Sequence, residues 1–211
     1  MKCTKEMMRL YAVTDRAWVG KMSLMEQVEA ALKNGASCIQ LREKKLDYEA
    51  FLEEAREMVT LCRQYNVPFI INDAVEIAIK VGADGVHVGQ DDMKVSYVRK
   101  QVGPNMIVGV SVHNIEEAKE AIINGADYLG IGAVFSTSTK LDVKTISYDK
   151  LKEICDAVDV PTVAIGGISK DNIFKLAGSG VDGVAVVSAI FAAKDPGKAT
   201  RELKEQVVKC L

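Results

Sequence analysis

Short runs of aliphatic and β-branched residues recur along the chain, and most are followed by a longer stretch whose apolar positions return every three or four residues. The short runs fall at 10–13, 38–41, 69–71, 85–88, 107–110, 128–131, 162–165 and 183–187, and read as buried strands. The longer stretches include 24–33, 48–65, 115–123 and 148–158, which predict helices. Within 48–65, Phe51, Leu52, Ala55, Met58, Val59 and Cys62 fall on one face at helical spacing, with charged residues between them. Strand and helix alternate with no block of strands alone, so the strands should lie parallel, each reached through a helical crossover.

A weak internal repeat sharpens this. Asn34-Gly35-Ala36-Ser37, Val81-Gly82-Ala83-Asp84, Asn124-Gly125-Ala126-Asp127 and Ser179-Gly180-Val181-Asp182 share one shape, each leading into an even-numbered strand. The glycine suits a left-handed helix C-cap, where a β-carbon would be penalised. Strands three and seven are entered instead through Val67-Pro68 and Val160-Pro161. Two-unit alternation over eight strands predicts an α/β fold of the (β/α)8 TIM-barrel type rather than an open doubly wound sheet. No linker or charge block divides the chain, so residues 1–211 are expected to form a single catalytic domain.

Composition narrows the partners. Lys plus Arg total 27 against 29 Asp plus Glu, a formal charge of −2, which gives no global field for nucleic acid or an acidic membrane. Any anion must be held by a local cluster, so the expected partners are small phosphorylated molecules. Cys3, Cys38, Cys62, Cys155 and Cys210 are scattered, odd in number and never in a C-x-x-C pair. They read as reduced thiols; with no signal-like apolar N-terminus, a cytoplasmic location is expected.

In such a barrel, chemistry gathers at the C-terminal ends of the strands. After the second strand comes Gln40-Leu41-Arg42-Glu43-Lys44. Alternation places Ile39 and Leu41 toward the outer helices, leaving Gln40 and Arg42 in the barrel mouth. A planar guanidinium there, with Lys44 near, suits a phosphate group; an internal salt bridge is the structural alternative. Asn72-Asp73 and Gly89-Gln90-Asp91-Asp92 end the next two strands, and carboxylates from adjacent strand ends can share a magnesium ion. Alone, they are ordinary turn residues. Ser111 could offer a hydroxyl to a phosphate, whereas His113 and Asn114 serve equally well as helix caps. His87 lies within the fourth strand and reads as a hydrogen-bonded interior residue. The loop 132–147 is long and hydroxyl-rich, with Thr137, Ser138, Thr139 and Lys140, and suggests a lid. Gly166-Gly167 after strand seven, with Val187 and Ser188 after strand eight, would let backbone N–H groups approach a second anion.

From Leu10 to Pro196 the chain resembles the thiamine-phosphate synthase family. The motifs carrying the resemblance are Gln40-Leu41-Arg42-Glu43-Lys44, Asn72-Asp73, His87-Val88-Gly89-Gln90-Asp91-Asp92, Gly109-Val110-Ser111-Val112-His113, Thr137-Ser138-Thr139-Lys140, Gly166-Gly167-Ile168 and Val187-Ser188-Ala189-Ile190. Each is short, but their order is specific. The resemblance implies a transferase that joins hydroxymethylpyrimidine diphosphate to a thiazole phosphate, releasing pyrophosphate and thiamine phosphate. It implies that Gln40, Leu41, Arg42, Glu43, Lys44, Asn72, Ser111 and Lys140 hold the pyrimidine diphosphate, with Arg42, Lys44 and Lys140 catalytic. Asp73 and Asp92 would ligate one Mg2+. Thr137, Ser138, Thr139, Gly167, Val187 and Ser188 would hold the thiazole phosphate. Gly132-Ala133-Val134-Phe135-Ser136 departs from the family pattern, in which Gly-Pro and a second Pro are common at this loop.

Three rival functions use the same pattern. A thiazole tautomerase of the same family would need a proton-transfer histidine, and His113 is available; Lys140, Asp73 and Asp92 would then have no task. A non-catalytic sensor would bind both ligands without turnover. Another barrel isomerase or lyase could use the phosphate site of strands seven and eight, leaving the Gln40–Lys44 cluster unexplained.

Overall fold

The computed structural model describes residues 2–137 and 145–211. Eight parallel strands close into a barrel in chain order: β1 (Leu10–Val13), β2 (Cys38–Leu41), β3 (Phe69–Asn72), β4 (Gly85–Val88), β5 (Ile107–Val112), β6 (Tyr128–Gly132), β7 (Thr162–Ile165) and β8 (Gly183–Val186). Outside them lie α1 (Leu24–Lys33), α2 (Tyr48–Gln64), α3 (Val75–Val81), α4 (Val95–Val102), α5 (Ile115–Ile123), α6 (Tyr148–Asp156), α7 (Ser188–Phe191) and α8 (Pro196–Cys210). The TIM-barrel expectation holds, with adjustments at element ends. β5 runs two residues past the expected Val110, because Ser111 and Val112 stay in register with Gly130 and Ile131 of β6. β8 stops at Val186, since Val187 leaves the strand to become the N-cap of α7. α2 and α6 end one and two residues early, at capping residues Tyr65 and Ala157. Between β7 and β8 the crossover carries only a 3-10 turn, Ile173–Leu176.

Alternation along the strands sorts the side chains into two packed layers. Leu10, Ala12, Ile39, Leu41, Ile71 and Val86 pack outward with the helix faces, including Met58, Val59 and Cys62 of α2. Tyr11, Val13, Cys38, Ile70, Ile107, Tyr128, Val163 and Ala185 fill the barrel interior, packed with Met8 and Cys3 of the N-terminal segment. The five cysteines are free thiols. Burial pushes Cys155 up to about 11 and Cys3 and Cys62 up to about 12, well away from thiolate reactivity. Among the described residues no helix is long and apolar enough to cross a membrane.

The four-fold repeat has a physical cause beyond its glycines, although Gly35, Gly82, Gly125 and Gly180 do all have positive φ. The last residue of each unit makes a reciprocal pair with the preceding strand. Ser37, Asp84, Asp127 and Asp182 donate their backbone N–H to the carbonyls of Leu10, Phe69, Val108 and Thr162. Their side-chain oxygens accept the N–H groups of those same four residues. Each even strand is thus clamped to its odd predecessor at the barrel floor, opposite the functional end. Asp84→Ala should orphan the buried Phe69 N–H and cost about 1–3 kcal/mol in urea unfolding. Asp84→Ser, which copies Ser37, should cost clearly less. Equal stability of all three proteins would show that the clamp contributes nothing.

Candidate active site

The wide end of the barrel opens into a cavity of about 1080 Å³, continuous with solvent. Its walls bring together Gln40, Arg42, Asn72, Ser111, Thr137, Gly167, Val187 and Ser188, all singled out in the sequence, with Tyr11, His87, His113 and Gly166. Contributions come from around the whole barrel, as expected for this architecture.

The segment after β2 is held rigidly from below. Thr14, fully buried, donates its N–H to the Gln40 carbonyl and accepts the Arg42 N–H at 3.0 Å. Glu43 is buried too. One of its carboxylate oxygens accepts the N–H groups of Lys44 and Lys45 at 2.8 and 2.9 Å. The other accepts Arg16 Nε at 2.7 Å, and Arg16 is also paired to Glu54. Burial would raise the Glu43 carboxyl, but the Arg16 pair and the two backbone donors together hold it below its ordinary value. The Glu43 side chain is therefore committed to shaping the loop, and the Leu41 side chain is fully buried in the outer layer. Any contact these two make with a ligand must come through their backbone.

Arg42 is a quarter exposed, and its Asp15 partner stands at 3.8 Å, too far for a hydrogen bond. The internal salt bridge weighed from sequence exists, but it is loose. Lys44 pairs with Asp73; neither is among the cavity's lining residues, nor is Asp92, although Asn72 beside Asp73 is. Asp73 also lies within hydrogen-bonding reach of Asp92, so the expected carboxylate pair does meet between β3 and β4. Burial holds the Asp73 carboxyl above its ordinary value; Lys44 opposes the shift and Asp92 adds to it. Asp73 sits at φ 62, a left-handed conformation uncommon for a residue with a β-carbon. Its N–H bonds the His87 carbonyl at 2.8 Å, which ties the β3 turn to β4. Asp92 is oriented by the Gly89 N–H at 2.7 Å.

Across the cavity, Gly166 and Gly167 do more than expose their backbone. A β-carbon on Gly166 would lie 2.5 Å from that of Ala133, and one on Gly167 would lie 2.2 Å from the Ser136 carbonyl. The two glycines admit the start of the loop after β6, whose Val134 and Phe135 donate to the carbonyls of Ile165 and Gly166. At the far end of that loop, Ile146 donates to the Ala133 carbonyl, so its two ends are tied together. Ser138, Thr139 and Lys140, and with them the middle of the expected lid, lie outside the described residues.

Asn114, not His113, caps α5: its side chain accepts the Glu117 N–H at 2.8 Å. The His113 ring lies against Glu117 at 3.0 Å and borders the cavity. His87 is an interior hydrogen-bonded residue, as expected, but it also reaches the cavity floor through Ser111. Sequence reading passed over Tyr11 and Tyr128. Their hydroxyls face each other inside the barrel, and the only signal for them was a tyrosine at inward positions of strands otherwise filled with aliphatics.

A family model described as thiamine monophosphate synthase matches residues 10–190. The chain is 45% identical over 194 residues to the thiamine-phosphate synthase of Clostridium tetani, covering 92% of this chain and 93% of that protein. It is 42% identical over 207 residues to that of Pyrococcus abyssi, covering 98% of each. The thiamine phosphate pyrophosphorylase structure from Pyrococcus furiosus superposes with a TM-score of 0.90 at 40% identity, again covering 98% of each chain.

Proposed function

This chain belongs to the thiamine-phosphate synthase family, enzymes that are transferases of thiamine biosynthesis acting on small phosphorylated substrates, and we propose how its own residues divide the work. One observation carries the reading. A single cavity brings Gln40, Arg42, Asn72 and Ser111 together with Gly167, Val187 and Ser188, while Lys44, Asp73 and Asp92 form a cluster around Asp73, next in sequence to the lining residue Asn72. The first group would hold hydroxymethylpyrimidine diphosphate. The second, with Thr137, Ser138 and Thr139, would hold the thiazole phosphate, carboxylated or not. The whole chain acts as one catalytic domain, and its free cysteines suit the cytoplasm.

A divalent cation fits the carboxylate pair. Two hard oxygen donors stand together at Asp73 and Asp92, and burial, with Asp92 adding to it, holds Asp73 above its ordinary value even against Lys44. Among the described residues no third His, Cys, Asp or Glu completes a ligand set, so water and diphosphate oxygens must supply the rest, as is usual for magnesium. When bound there, Mg2+ would neutralise charge on the diphosphate and make it a better leaving group. Lys44, now paired to Asp73, would supply a cation to the same diphosphate. Arg42, Lys44 and Lys140 then stabilise the charge that grows as the methylene C–O bond breaks and its electron pair leaves on pyrophosphate. The amino group of the pyrimidine ring spreads the positive charge left on the methylene. The thiazole nitrogen donates its lone pair to that carbon, closing the new C–N bond. With the thiazole lacking its carboxyl no proton need move, so no strong base is required (a carboxylated thiazole would also lose CO2 and take a proton from water), and holding both substrates in one cavity supplies much of the remaining acceleration.

Purified protein supplied with both substrates should form thiamine phosphate and pyrophosphate in equal amounts, and only when Mg2+ is present. Binding of both ligands without turnover would favour the sensor. Turnover undiminished by chelation would remove the metal from the scheme.

A further inference from the structure

A chain of side-chain hydrogen bonds crosses the cavity floor, and the chemistry above leaves its buried members without a task. Gln40 Nε2 donates to Tyr11 Oη at 2.7 Å, and Tyr11 Oη lies 2.8 Å from Tyr128 Oη. Tyr128 Oη lies 2.9 Å from His87 Nδ1, and His87 Nε2 lies 2.9 Å from Ser111 Oγ. Room for it is built into the barrel. Gly109 pairs with Tyr128 in the sheet, and a β-carbon there would stand 2.1 Å from the tyrosine ring. Burial holds both phenols well above their ordinary value, so each keeps its proton.

An amide nitrogen only donates, so Tyr11 Oη accepts from Gln40, and the chain can run on from there in one continuous sense. In that sense the Tyr11 hydrogen goes to Tyr128 and the Tyr128 hydrogen to His87 Nδ1. A neutral imidazole accepting at Nδ1 carries its hydrogen on Nε2, which donates to Ser111 Oγ. The hydroxyl hydrogen of Ser111 is thereby left to donate, and the Gln40 amide, its nitrogen used on Tyr11, is left to accept; both residues line the cavity. We propose that Tyr11, Tyr128 and His87 are positioning residues that fix opposite hydrogen-bonding senses on two sides of the pocket: an acceptor at Gln40 and a donor at Ser111. The proposal rests on the function argued above, because the ring it fits is an aminopyrimidine. That ring carries an amino donor at one carbon and an acceptor nitrogen directly across from it. An oriented network in a dry interior holds such a pattern without reorganisation when the ring arrives.

The tautomer of His87 tests this without any substrate. Nitrogen-15 NMR at neutral pH should show Nδ1 unprotonated and Nε2 protonated; the chain has two histidines, and His113→Asn assigns the signals. Protonation at Nδ1 would make the imidazole the donor to Tyr128, leave Nε2 to accept from Ser111, and overturn the proposal. Tyr128→Phe keeps the ring and breaks the chain. It should weaken binding of the pyrimidine alcohol about tenfold, the worth of one oriented hydrogen bond, while inorganic pyrophosphate binds as before. Tyr11→Phe should show the same selectivity if Tyr128→Phe does not fold. Equal weakening of both ligands, or of neither, overturns the proposal. A protein with the expected tautomer that makes no thiamine phosphate would instead count against the proposed function alone.

Discussion

Asp73→Gly is expected to lose nearly all turnover and yet to unfold at higher urea than the unaltered protein. The two effects share one cause. Asp73 holds a left-handed backbone that glycine adopts freely, so removing its β-carbon should recover about 1 kcal/mol of strain. The substitution also ends the burial of a carboxyl against Asp92. Sign follows from direction: a carboxyl held above its unfolded value is penalised when ionised, so at neutral pH its removal stabilises the fold. The lost Lys44 pair is half exposed and offsets little of this. Turnover falls because half of the carboxylate pair is gone, whichever cation it serves. Asp92→Ala should be as inactive, without the gain in stability from backbone strain. Asp73→Asn, nearly isosteric and tolerant of the same φ, separates charge from shape and should be inactive with only the electrostatic part of the stability gain. Urea midpoints and steady-state rates on the three variants decide the matter. An active Asp73→Gly would remove the metal assignment, and a destabilised one would refute the strain.

Backbone strain of this kind was invisible in the sequence, where Asn72-Asp73 reads as an ordinary turn. Much else was legible, for identifiable reasons. The barrel could be read because burial on both strand faces gives short apolar runs, and because four units of one shape, a glycine, a small apolar residue and then Asp or Ser, mark the entry to every even strand. The inward set at Gln40 and Arg42 followed from strand alternation alone, since Ile39 and Leu41 had to meet the helices. Failures came where a side chain serves the backbone. Glu43 sits among ligand candidates in a charged run, but its side-chain partner, Arg16, lies far from it in sequence. Alternation says which way a residue points and nothing about what closes over it. Gly166 and Gly167 fit the same account: their position suggested anion binding, while the tightest demand on them is the approach of Ala133 and Ser136. Tyr11 and Tyr128 were missed because an inward tyrosine is indistinguishable from core until its hydroxyl partner is placed.

Arg42→Ala should lower kcat by about 3 kcal/mol of barrier, roughly a hundredfold or more, with a much smaller change in KM for the thiazole phosphate. The guanidinium is only loosely paired to Asp15 at 3.8 Å, so little internal structure depends on it and stability should hardly change. A cation beside the diphosphate gains most as charge accumulates on the leaving oxygen, so its loss appears in the transition state more than in the ground state. Arg42→Lys should recover only part of the rate, because a point charge cannot grip two phosphate oxygens in one plane. Lys140→Ala should behave like Arg42→Ala if both cations face the same group. His113→Asn supplies the contrast. Asn114 keeps the helix cap, so the fold survives, and a reaction that moves no proton should retain most of its rate. Thiamine-phosphate formation and thiazole isomerisation measured side by side in these variants separate the two chemistries. Should His113→Asn abolish turnover while Arg42→Ala leaves it intact, proton transfer rather than diphosphate departure would be the step this cavity performs.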